Sequence, residues 1–302
     1  MDMLSRERGL AGLPAEFAMV CFLYLSLRQK PLNVALKQTG PHKLKTRLIK
    51  IHWILSSQLG LDPMILFRSL RGLPVYLRDW VSFRKNHKGK MKFMPCLHDR
   101  YEEAGATKSE YFWQDFLVAR AIHEARPVKH VDVGSRIDGF AAHVASFREI
   151  EIFDVRRVTM VIPGMVFRVA DLMNPVTIQK GYCDSLSCLH AIEHFGLGRY
   201  GDPINPLGYQ LGIANMAQLL QPHGTFYLST PIGRERVEFN ANWVFDPRSI
   251  VRCAESNGLT LQKLIVITSA NGYEESAYDE ETFARLAARH YQLGLFIFKK
   301  TR

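Results

Sequence analysis

The sequence has few cysteines, and their arrangement excludes two common small-domain scaffolds. The five are an odd number and form no repeated pairs at zinc-ligand spacing: Cys21, Cys96, Cys183, Cys188 and Cys253. Neither a disulfide framework nor a zinc ribbon is therefore expected. Disulfides persist in oxidising compartments, so this composition favours a reducing cytoplasm.

A long apolar run is also missing. The N-terminal run Phe17–Leu25 falls short of the roughly 20 apolar residues that a membrane-spanning helix needs. Arg6 and Arg8 precede it, as in a signal peptide, but Arg28 and Lys30 follow where a small-residue cleavage site would stand. The run is predicted to form a buried or interfacial helix, in a cytoplasmic protein that lies free or at the inner face of the membrane.

Charge is distributed unevenly along the chain. The 302 residues are 47% hydrophobic and 23% charged, as in globular proteins of one or two domains. Residues 1–100 contain 18 Lys and Arg against 6 Asp and Glu, which leaves 21 against 23 for the rest. Residues 28–92 are therefore predicted to contact an anionic membrane surface. A solvated basic face, or packing of this segment on the remainder of the chain, would explain the same pattern.

The pattern of turn residues predicts a basic, mostly helical N-terminal segment over residues 1–107. Asp62-Pro63 is typical of a helix start. The helix is expected to run to Leu70 and stop at Gly72, and Tyr76–Phe83 is expected to follow as a second element. Residues 108–302 form the predicted second domain, which begins with a helix capped by Ser109.

From residue 128 onward, strand-like and helix-like segments alternate, which indicates a mostly parallel sheet covered on both faces. The predicted strands are Val128–Val133, Ile150–Val155, Met165–Ala170, Cys183–Leu189, Thr225–Ser229, Leu261–Thr268 and Leu293–Phe298. The predicted helices are Phe140–Phe147, Leu207–Leu220, Pro247–Asn257 and Glu280–His290.

Carboxylates stand where three successive strands should end. Asp132 is followed by glycines at positions 134 and 139, which predict a strand, a glycine turn and a helix in that order. Such a unit places backbone without side-chain bulk at the ligand-binding edge of a parallel sheet. Asp154 at the second strand end can accept both hydroxyls of a ribose, and Asp171 after the third can accept an adenine amino group. Helix capping is the alternative for each of them.

These residues resemble the nucleoside-binding series of the class I S-adenosylmethionine-dependent methyltransferases. Four longer stretches resemble the family catalogued as domain of unknown function two-six-eight, over a match that runs from about Asp62 to the C-terminus. They are Glu110–Asp115, Val131–Gly139, Ser187–Pro203 and Pro231–Gly233. The resemblance implies a Rossmann-like, mostly parallel seven-stranded sheet with an antiparallel last strand.

The resemblance also implies S-adenosylmethionine as the cofactor. Its expected binding residues are Asp132, Gly134, Ser135, Arg136, Asp154, Asp171 and Leu189. Arg136 stands where the superfamily usually carries a second glycine, and a histidine of the family pattern is replaced by Asn242 after Asn240-Ala241. The full glycine pattern of dinucleotide sites is therefore missing, which disfavours a dinucleotide.

Three polar residues follow the fourth strand at spacings of three and four. On a helix, His190, Glu193 and His194 would share one face. The order His-x-x-Glu-His also matches an inverted zinc-peptidase motif, but that site needs a long helix, and Gly196 and Gly198 interrupt this one. No metal is therefore predicted.

The resemblance places this trio beside the reacting methyl group. A hydroxyl acceptor must lose a proton, and an imidazole is suited to take it. His194 is the first choice for the base and His190 the second, with Glu193 as an orienting partner. The alternative is that the histidines only shape the loop.

The following loop, Gly196–Gly208, is rich in glycine and proline, as substrate loops often are. Arg199, Tyr200 and Asp202 are predicted to bind the acceptor, and the loop is predicted to close over it. A static surface loop whose glycines only make turns is the alternative.

The leading hypothesis is an S-adenosylmethionine-dependent O-methyltransferase acting on a small-molecule, sugar or glycan hydroxyl. RNA methylation is a second hypothesis, although Leu189-His190-Ala191-Ile192 lacks the Pro-Pro-aromatic motif of base N-methyltransferases, so nucleic acid is disfavoured as a partner. A non-catalytic nucleoside-binding module is the third. The sequence indicates no oligomeric state.

Overall fold

The computed structural model describes residues 51–102, 105, 107–174, 179–268 and 272–301. Contacts within the chain divide it into two compact units, Met1–Gly105 and Ala106–Arg302, and each is described by itself. The predicted helix at Phe17–Leu25 and residues 28–50 of the predicted basic surface lie outside the described residues. Where the structure describes the chain, it contains no helix that is long and apolar enough to cross a membrane.

The first unit is helical in its described part. A π-helical turn, Ile54–Gln58, precedes helix α1, Pro63–Asn86, and a 3₁₀ turn, Asp99–Tyr101, follows it. Helix α1 begins as the sequence predicted, because Asp62 Oδ1 accepts hydrogen bonds from the backbone N–H groups of Met64 and Ile65 at 2.8 and 3.3 Å.

The prediction that this helix stops at Gly72 is wrong. Helix α1 continues through Gly72 and Pro74 to Asn86. Gly72 is buried, and an added Cβ there would lie 2.1 Å from the carbonyl oxygen of Leu97. The glycine therefore permits a close approach of the backbone at Leu97, and does not end the helix.

The second unit has an α/β architecture. Its helices are α2 (Glu110–Ala125), α3 (Ala142–Ala145, after a π-helical turn at Ile137–Ala141), α4 (Gly208–Leu219), α5 (Pro247–Glu255) and α6 (Glu280–Ala287). Its strands are β1 (His130–Val133), β2 (Ile150–Asp154), β3 (Met165–Val169), β4 (Cys183–Leu189), β5 (Leu220–Ile232), β6 (Arg236–Glu238), β7 (Asn242–Val244), β8 (Leu259–Thr268), β9 (Gly272–Ser276) and β10 (Gln292–Lys300).

The main sheet runs in the order β3-β2-β1-β4-β5-β10-β8-β9. Strands β1 to β5 pair in parallel, whereas β10 pairs antiparallel with both β5 and β8. The predicted Rossmann-like sheet of seven strands with an antiparallel last strand is confirmed. The sequence missed an eighth strand, β9, which adds an edge beyond β8.

Both faces of this sheet are covered, as parallel strands require. Helices α4, α5 and α6 bury Ile213, Ile250 and Phe283 in a core on one face. Helix α2 buries Val118 and Ile122 in a second core. A fully buried side chain of this kind stabilises the fold by about 1.5–3 kcal/mol. The carboxyl ends of β1, β2 and β4 are thereby held at one rigid edge.

A second sheet, which has only the two strands β6 and β7, was not predicted. Each strand has only three residues, which is too short for an alternating pattern to stand out from the sequence. The turn between them contains Phe239, which is exposed, and Ala241. Trp243 in β7 packs against Tyr209 at the start of α4, with ring centroids 5.6 Å apart.

Candidate functional site

A buried aspartate holds the turn after β1. Asp132 Oδ2 accepts a hydrogen bond from the backbone N–H of Ser135 at 3.0 Å, and Oδ1 accepts from the Ser135 hydroxyl at 2.6 Å. Gly134 has a φ of +70°, and an added Cβ would lie 3.1 Å from the Cβ of Ala191. The turn therefore presents bare backbone where β1 and β4 end, which suits the close approach of a ligand.

Asp132 itself is fully buried. Ser187 Oγ donates to its Oδ1 at 2.5 Å, and burial raises the pKa of Asp132 to about 6. Ser135 Oγ accepts from the backbone N–H of Leu189 at 3.1 Å, so the same turn is tied to the end of β4. The places of Asp132 and Leu189 in a cofactor site stay predictions, and here both residues act by shaping the turn.

Arg136 does not obstruct the turn. Its backbone is extended, with φ −67° and ψ 129°, a conformation open to any residue. Its guanidinium donates to Asp138 at 3.1 and 2.8 Å and lies 5.0 Å from the centroid of the Tyr111 ring. An arginine in place of the second glycine is thus compatible with the local backbone.

Asp154 ends β2 and already accepts from three N–H groups of Arg156. Its Oδ1 accepts from Arg156 Nε at 2.9 Å, and its Oδ2 accepts from Arg156 Nη2 at 2.7 Å. The Arg156 backbone N–H also donates to Oδ1 at 2.8 Å. Asp154 therefore presents two acceptor oxygens at the strand end, the arrangement that the two hydroxyls of a ribose need.

Asp171 follows β3 and caps its own turn. Its Oδ1 accepts from the backbone N–H of Met173 at 2.9 Å, and its Oδ2 accepts from Asn174 Nδ2 at 2.6 Å. This is the helix-cap type of bonding that the sequence left open as an alternative. The adenine role of Asp171 stays a prediction.

His190, Glu193 and His194 do not lie on one helix, but the structure brings the three together in the turn after β4. His190 has a positive φ of 54° and lies before the 3₁₀ turn Ile192–His194. A backbone in this region is uncommon for a non-glycine residue. The His190 N–H is held by the Ser229 carbonyl at 3.0 Å and its hydroxyl at 3.1 Å.

His190 lies between two carboxylates. Its Nδ1 is hydrogen-bonded to Glu193 Oε1, and its Nε2 lies 3.2 Å from Oε1 of Glu110 in α2. The Tyr111 ring stacks on the imidazole with centroids 4.7 Å apart, and the Tyr291 hydroxyl donates to Glu110 at 2.7 Å. These five residues, His190, Glu193, Glu110, Tyr111 and Tyr291, form the His190 cluster.

The charge on the His190 cluster follows from these contacts. Burial lowers the pKa of His190, but the Glu193 and Glu110 carboxylates outweigh it and raise that pKa to about 10. The pKa of Glu193 is lowered, because the charge of His190 outweighs the effect of burial. His190 is therefore an imidazolium at neutral pH and donates from both ring nitrogens.

His194 is in a different state. Its Nδ1 lies 2.7 Å from the Ala241 carbonyl oxygen, and a carbonyl can only accept, so Nδ1 carries the proton. Burial lowers the pKa of His194, and the nearby Arg199 cation acts in the same direction against the Glu193 carboxylate. His194 is thus neutral at pH 7, with the lone pair on Nε2.

Tyr200 and Arg199 surround His194. The Tyr200 ring meets the His194 ring edge-on, with centroids 5.5 Å apart. Arg199 Nη1 donates to the Ala241 carbonyl at 2.9 Å, and its Cζ lies 5.2 Å from the Tyr200 ring centroid. The Arg156 guanidinium carbon lies 4.4 Å from the same centroid. Two of the three residues predicted to bind an acceptor are therefore beside the predicted base.

Asp202 organises the loop from within. Its Oδ2 accepts from the backbone N–H groups of Gly196 and Gly198 at 3.0 and 3.2 Å, and its Oδ1 accepts from that of Tyr200 at 3.2 Å. At Gly196, an added Cβ would lie 1.9 Å from the Asn205 carbonyl oxygen, so the loop is closely packed there. Loop closure and the acceptor role of Asp202 stay predictions.

Sequence reasoning assigned no role to Glu110, Tyr111, Tyr291 or Ala241. Glu110 and Tyr111 begin a stretch that carries the family resemblance, so a signal was present for them. Ala241 lies beside Asn242, where the family pattern has a histidine, and this was the only pointer to the β6–β7 turn. Tyr291 gave no signal, because its contact depends on the sheet order.

Residues 166–254 match the family model described as Caenorhabditis protein of unknown function, DUF268. The family resemblance that the sequence predicted is confirmed over this segment, which contains Ser187–Pro203. The antiparallel β10 between β5 and β8 agrees with the class I methyltransferase fold that the resemblance implied. No curated protein matches the chain.

Three solved structures illustrate the similarity. The 1,6-didemethyltoxoflavin-N1-methyltransferase of Burkholderia thailandensis is 11% identical, covers 89% of this chain and 94% of its own, and gives a TM-score of 0.42. The N-methyltransferase NodS of Bradyrhizobium japonicum is 10% identical over 63% of this chain and 86% of its own, with a TM-score of 0.40. The (4+2)-cyclase SpnF is 14% identical over 62% of this chain and 81% of its own, with a TM-score of 0.44.

Proposed function

We propose that the protein is an S-adenosylmethionine-dependent methyltransferase that acts on a hydroxyl group of a sugar or glycan. The main observation in support is that His194, in the segment after β4, is a neutral imidazole whose Nε2 carries a lone pair. The bare turn at Gly134 ends the neighbouring strand β1, and the acceptor carboxylate of Asp154 ends β2.

The residues at this edge fit the cofactor. Asp154 would accept the ribose hydroxyls, since each of its two oxygens already accepts a side-chain N–H of Arg156. Asp171 would receive the adenine amino group at the end of the neighbouring strand β3. The backbone of Gly134 and Ser135 would line the cofactor, in the turn that Asp132 holds and that Leu189 and Arg136 flank.

When bound, the cofactor supplies an electrophilic methyl group on sulfur, and the protein's residues align the acceptor with it. His194 Nε2 would take the proton of the acceptor hydroxyl, and Nδ1 would keep its hydrogen bond to Ala241. His190 is a poor base, because it is already protonated at neutral pH. It neutralises Glu193 and thereby fixes the position of the segment that carries His194.

Polar groups beside the base support a hydroxylated acceptor. The Tyr200 ring and the Arg199 guanidinium lie next to His194 and are both exposed. Aromatic rings and planar cations orient hydroxylated ligands in many small-molecule sites. Tyr200 and Arg199 would bind the acceptor directly, and Asp202 would hold the loop in the shape that presents them.

We also propose that the first unit binds an anionic membrane surface. Helix α1 carries an exposed apolar stripe at helical spacing, which consists of Leu66, Leu70, Leu73, Leu77 and Val81. Arg71, Arg78 and Lys85 lie along one side of this stripe by their positions on the helix. An apolar stripe with basic residues beside it is the arrangement of helices that lie in the membrane interface.

Calorimetric titration of the full chain with S-adenosylhomocysteine tests the proposed cofactor, and intact mass spectrometry of the purified protein tests for an adenosine-containing ligand that accompanies it. Saturable one-to-one binding is the expected result. A chain that binds neither S-adenosylhomocysteine nor S-adenosylmethionine would contradict the proposal, including its non-catalytic alternative.

A further inference from the structure

Two arginines share the ring of Tyr200. The guanidinium carbon of Arg156 lies 4.4 Å from the ring centroid, and that of Arg199 lies 5.2 Å from it. The ring is also 5.5 Å, centroid to centroid, from the imidazole of His194. Two cations therefore lie within a few ångströms of one ring, next to the proposed base.

The two arginines differ in their partners. Arg156 is neutralised by the two hydrogen bonds to Asp154. Among the described residues, Arg199 forms no ion pair with a carboxylate, and it donates to the neutral carbonyl of Ala241. Asp202, three residues beyond Arg199, directs its oxygens to backbone N–H groups of the loop. The surroundings of Tyr200 thus hold one uncompensated positive charge.

The contact between Arg156 and Asp154 connects this charge to the cofactor site. Resting on the proposed function, a ribose diol would take the same two carboxylate oxygens that now accept from Arg156 Nε and Nη2. Arg156 would then lose its side-chain partner. Its side chain is about half exposed, so it can turn toward solvent while it remains beside Tyr200.

We propose that occupation of Asp154 by the cofactor releases Arg156, which then forms with Arg199 a binding site for an anionic group of the acceptor. A planar guanidinium pairs well with a carboxylate, a phosphate or a sulfate. The acceptor class is thereby an anionic sugar or glycan, with its charged group at Tyr200 and its hydroxyl at His194. The cofactor binds first, since the anion site is incomplete without it.

Binding of the cofactor and binding of the anion should therefore be reciprocally coupled. If the cofactor strengthens anion binding by some factor, the anion must strengthen cofactor binding by the same factor. Because Arg156 and the ribose compete for Asp154, the direction of the effect of one variant on cofactor affinity can be predicted. Arg156→Gln removes a competitor of the ribose, so S-adenosylhomocysteine should bind at least as tightly as to the wild type, while its coupling to the anion disappears.

Calorimetry on the full chain tests this with inorganic phosphate, D-glucuronate and neutral D-glucose, each with and without saturating S-adenosylhomocysteine. Phosphate and D-glucuronate should bind at least about fivefold tighter in its presence, the lower range of such couplings, and D-glucose should show no change. A response to phosphate alone would restrict the proposal to phosphorylated acceptors, and a response to D-glucuronate alone to uronic acids.

Variants separate the anion site from a general charge effect. Arg199→Gln should abolish the coupled anion binding, and Arg199→Lys should retain part of it because the charge is kept. Arg120→Gln is the matched control, since Arg120 pairs with Glu124 on the exposed face of α2 and should leave the coupling unchanged. Circular dichroism verifies that each variant is folded.

Two outcomes overturn the inference in distinguishable ways. If S-adenosylhomocysteine binds but changes neither the phosphate nor the D-glucuronate affinity, the anion site is wrong and the proposed function stands. If S-adenosylhomocysteine does not bind at all, the proposed function and the anion site both fall.

Discussion

The Nδ1 atom of His194 lies 2.7 Å from the carbonyl oxygen of Ala241 in the turn between β6 and β7. This contact fixes the tautomer, because only a protonated Nδ1 can donate to a carbonyl. The lone pair is therefore on Nε2. His190, four residues earlier, has both nitrogens occupied by carboxylates. At neutral pH, His190 is therefore a cation and His194 is neutral, although the two histidines look equivalent in the sequence.

Replacing His194 should affect the chemical step and scarcely affect cofactor binding. Loss of the general base in His194→Ala should lower single-turnover transfer of a labelled methyl group at least about 100-fold. Affinity for S-adenosylhomocysteine should stay within a factor of about three. The assay uses the best substrate from a panel of sugars and uronic acids, and the exposed His123→Ala serves as control. Methyl transfer by His194→Ala at the wild-type rate would show that His194 only shapes the loop and is not the base.

The pH dependence of the same reaction distinguishes the two histidines. A base must be deprotonated, so its activity is lost as pH falls through its pKa. The pKa of His194 is lowered below 6.5, so the single-turnover rate should be flat between about pH 7 and about pH 9. If His190 were the base, with its pKa of about 10, the rate would instead rise close to tenfold per pH unit over that range.

Asp154→Ala should weaken binding of S-adenosylhomocysteine by about 1.5–3 kcal/mol, the scale of hydrogen bonds to a charged acceptor. Calorimetry measures the loss. Asp246→Ala is the control, because Asp246 also accepts hydrogen bonds from the side chain and backbone N–H of an arginine two residues later, but at the start of α5. Equal affinity in the wild type and Asp154→Ala would remove Asp154 from the nucleoside site.

The His190 cluster should make stability depend on pH in the alkaline range. Its two carboxylates raise the pKa of His190 from 6.5 to about 10, so their stabilisation is complete below pH 6.5 and is lost as pH rises toward 10. The free energy of unfolding should therefore fall by at most about 1.4 kcal/mol per pH unit in this window. Urea denaturation at several pH values measures the slope, which should be smaller in His190→Gln. An unchanged slope would contradict the assignment.

The stripe on α1 should bind anionic vesicles in preference to neutral ones. Replacing Leu70 and Leu77 by Gln should reduce cosedimentation, because it removes apolar surface from the interface. High salt should reduce it too, since exposed charges are screened. Leu211→Gln, a similarly exposed leucine of the second unit, is the control. Equal pelleting with neutral and anionic lipid would contradict the proposed preference for an anionic surface.

The sequence by itself determined seven of the ten strands that the structure describes in the second unit, and most of its helices. Cys183–Leu189 was predicted at its observed bounds, and β2, β3, β8 and β10 differ by one or two residues. Buried strands and helices have patterns that are local along the chain, so periodicity and turn residues locate them. The carboxylates at the ends of β1 and β2 followed from the same reasoning.

Only the tertiary structure decided how the polar residues are used. The sequence could not show that Asp132 is sealed by Ser187, that Arg156 occupies Asp154, or that Ala241 fixes the tautomer of His194. It also could not show that Glu110 reaches His190, since the contact joins residues 80 positions apart. Hydrogen bonds and pKa shifts depend on which segments the sheet order brings together, and that order is not encoded in any local pattern.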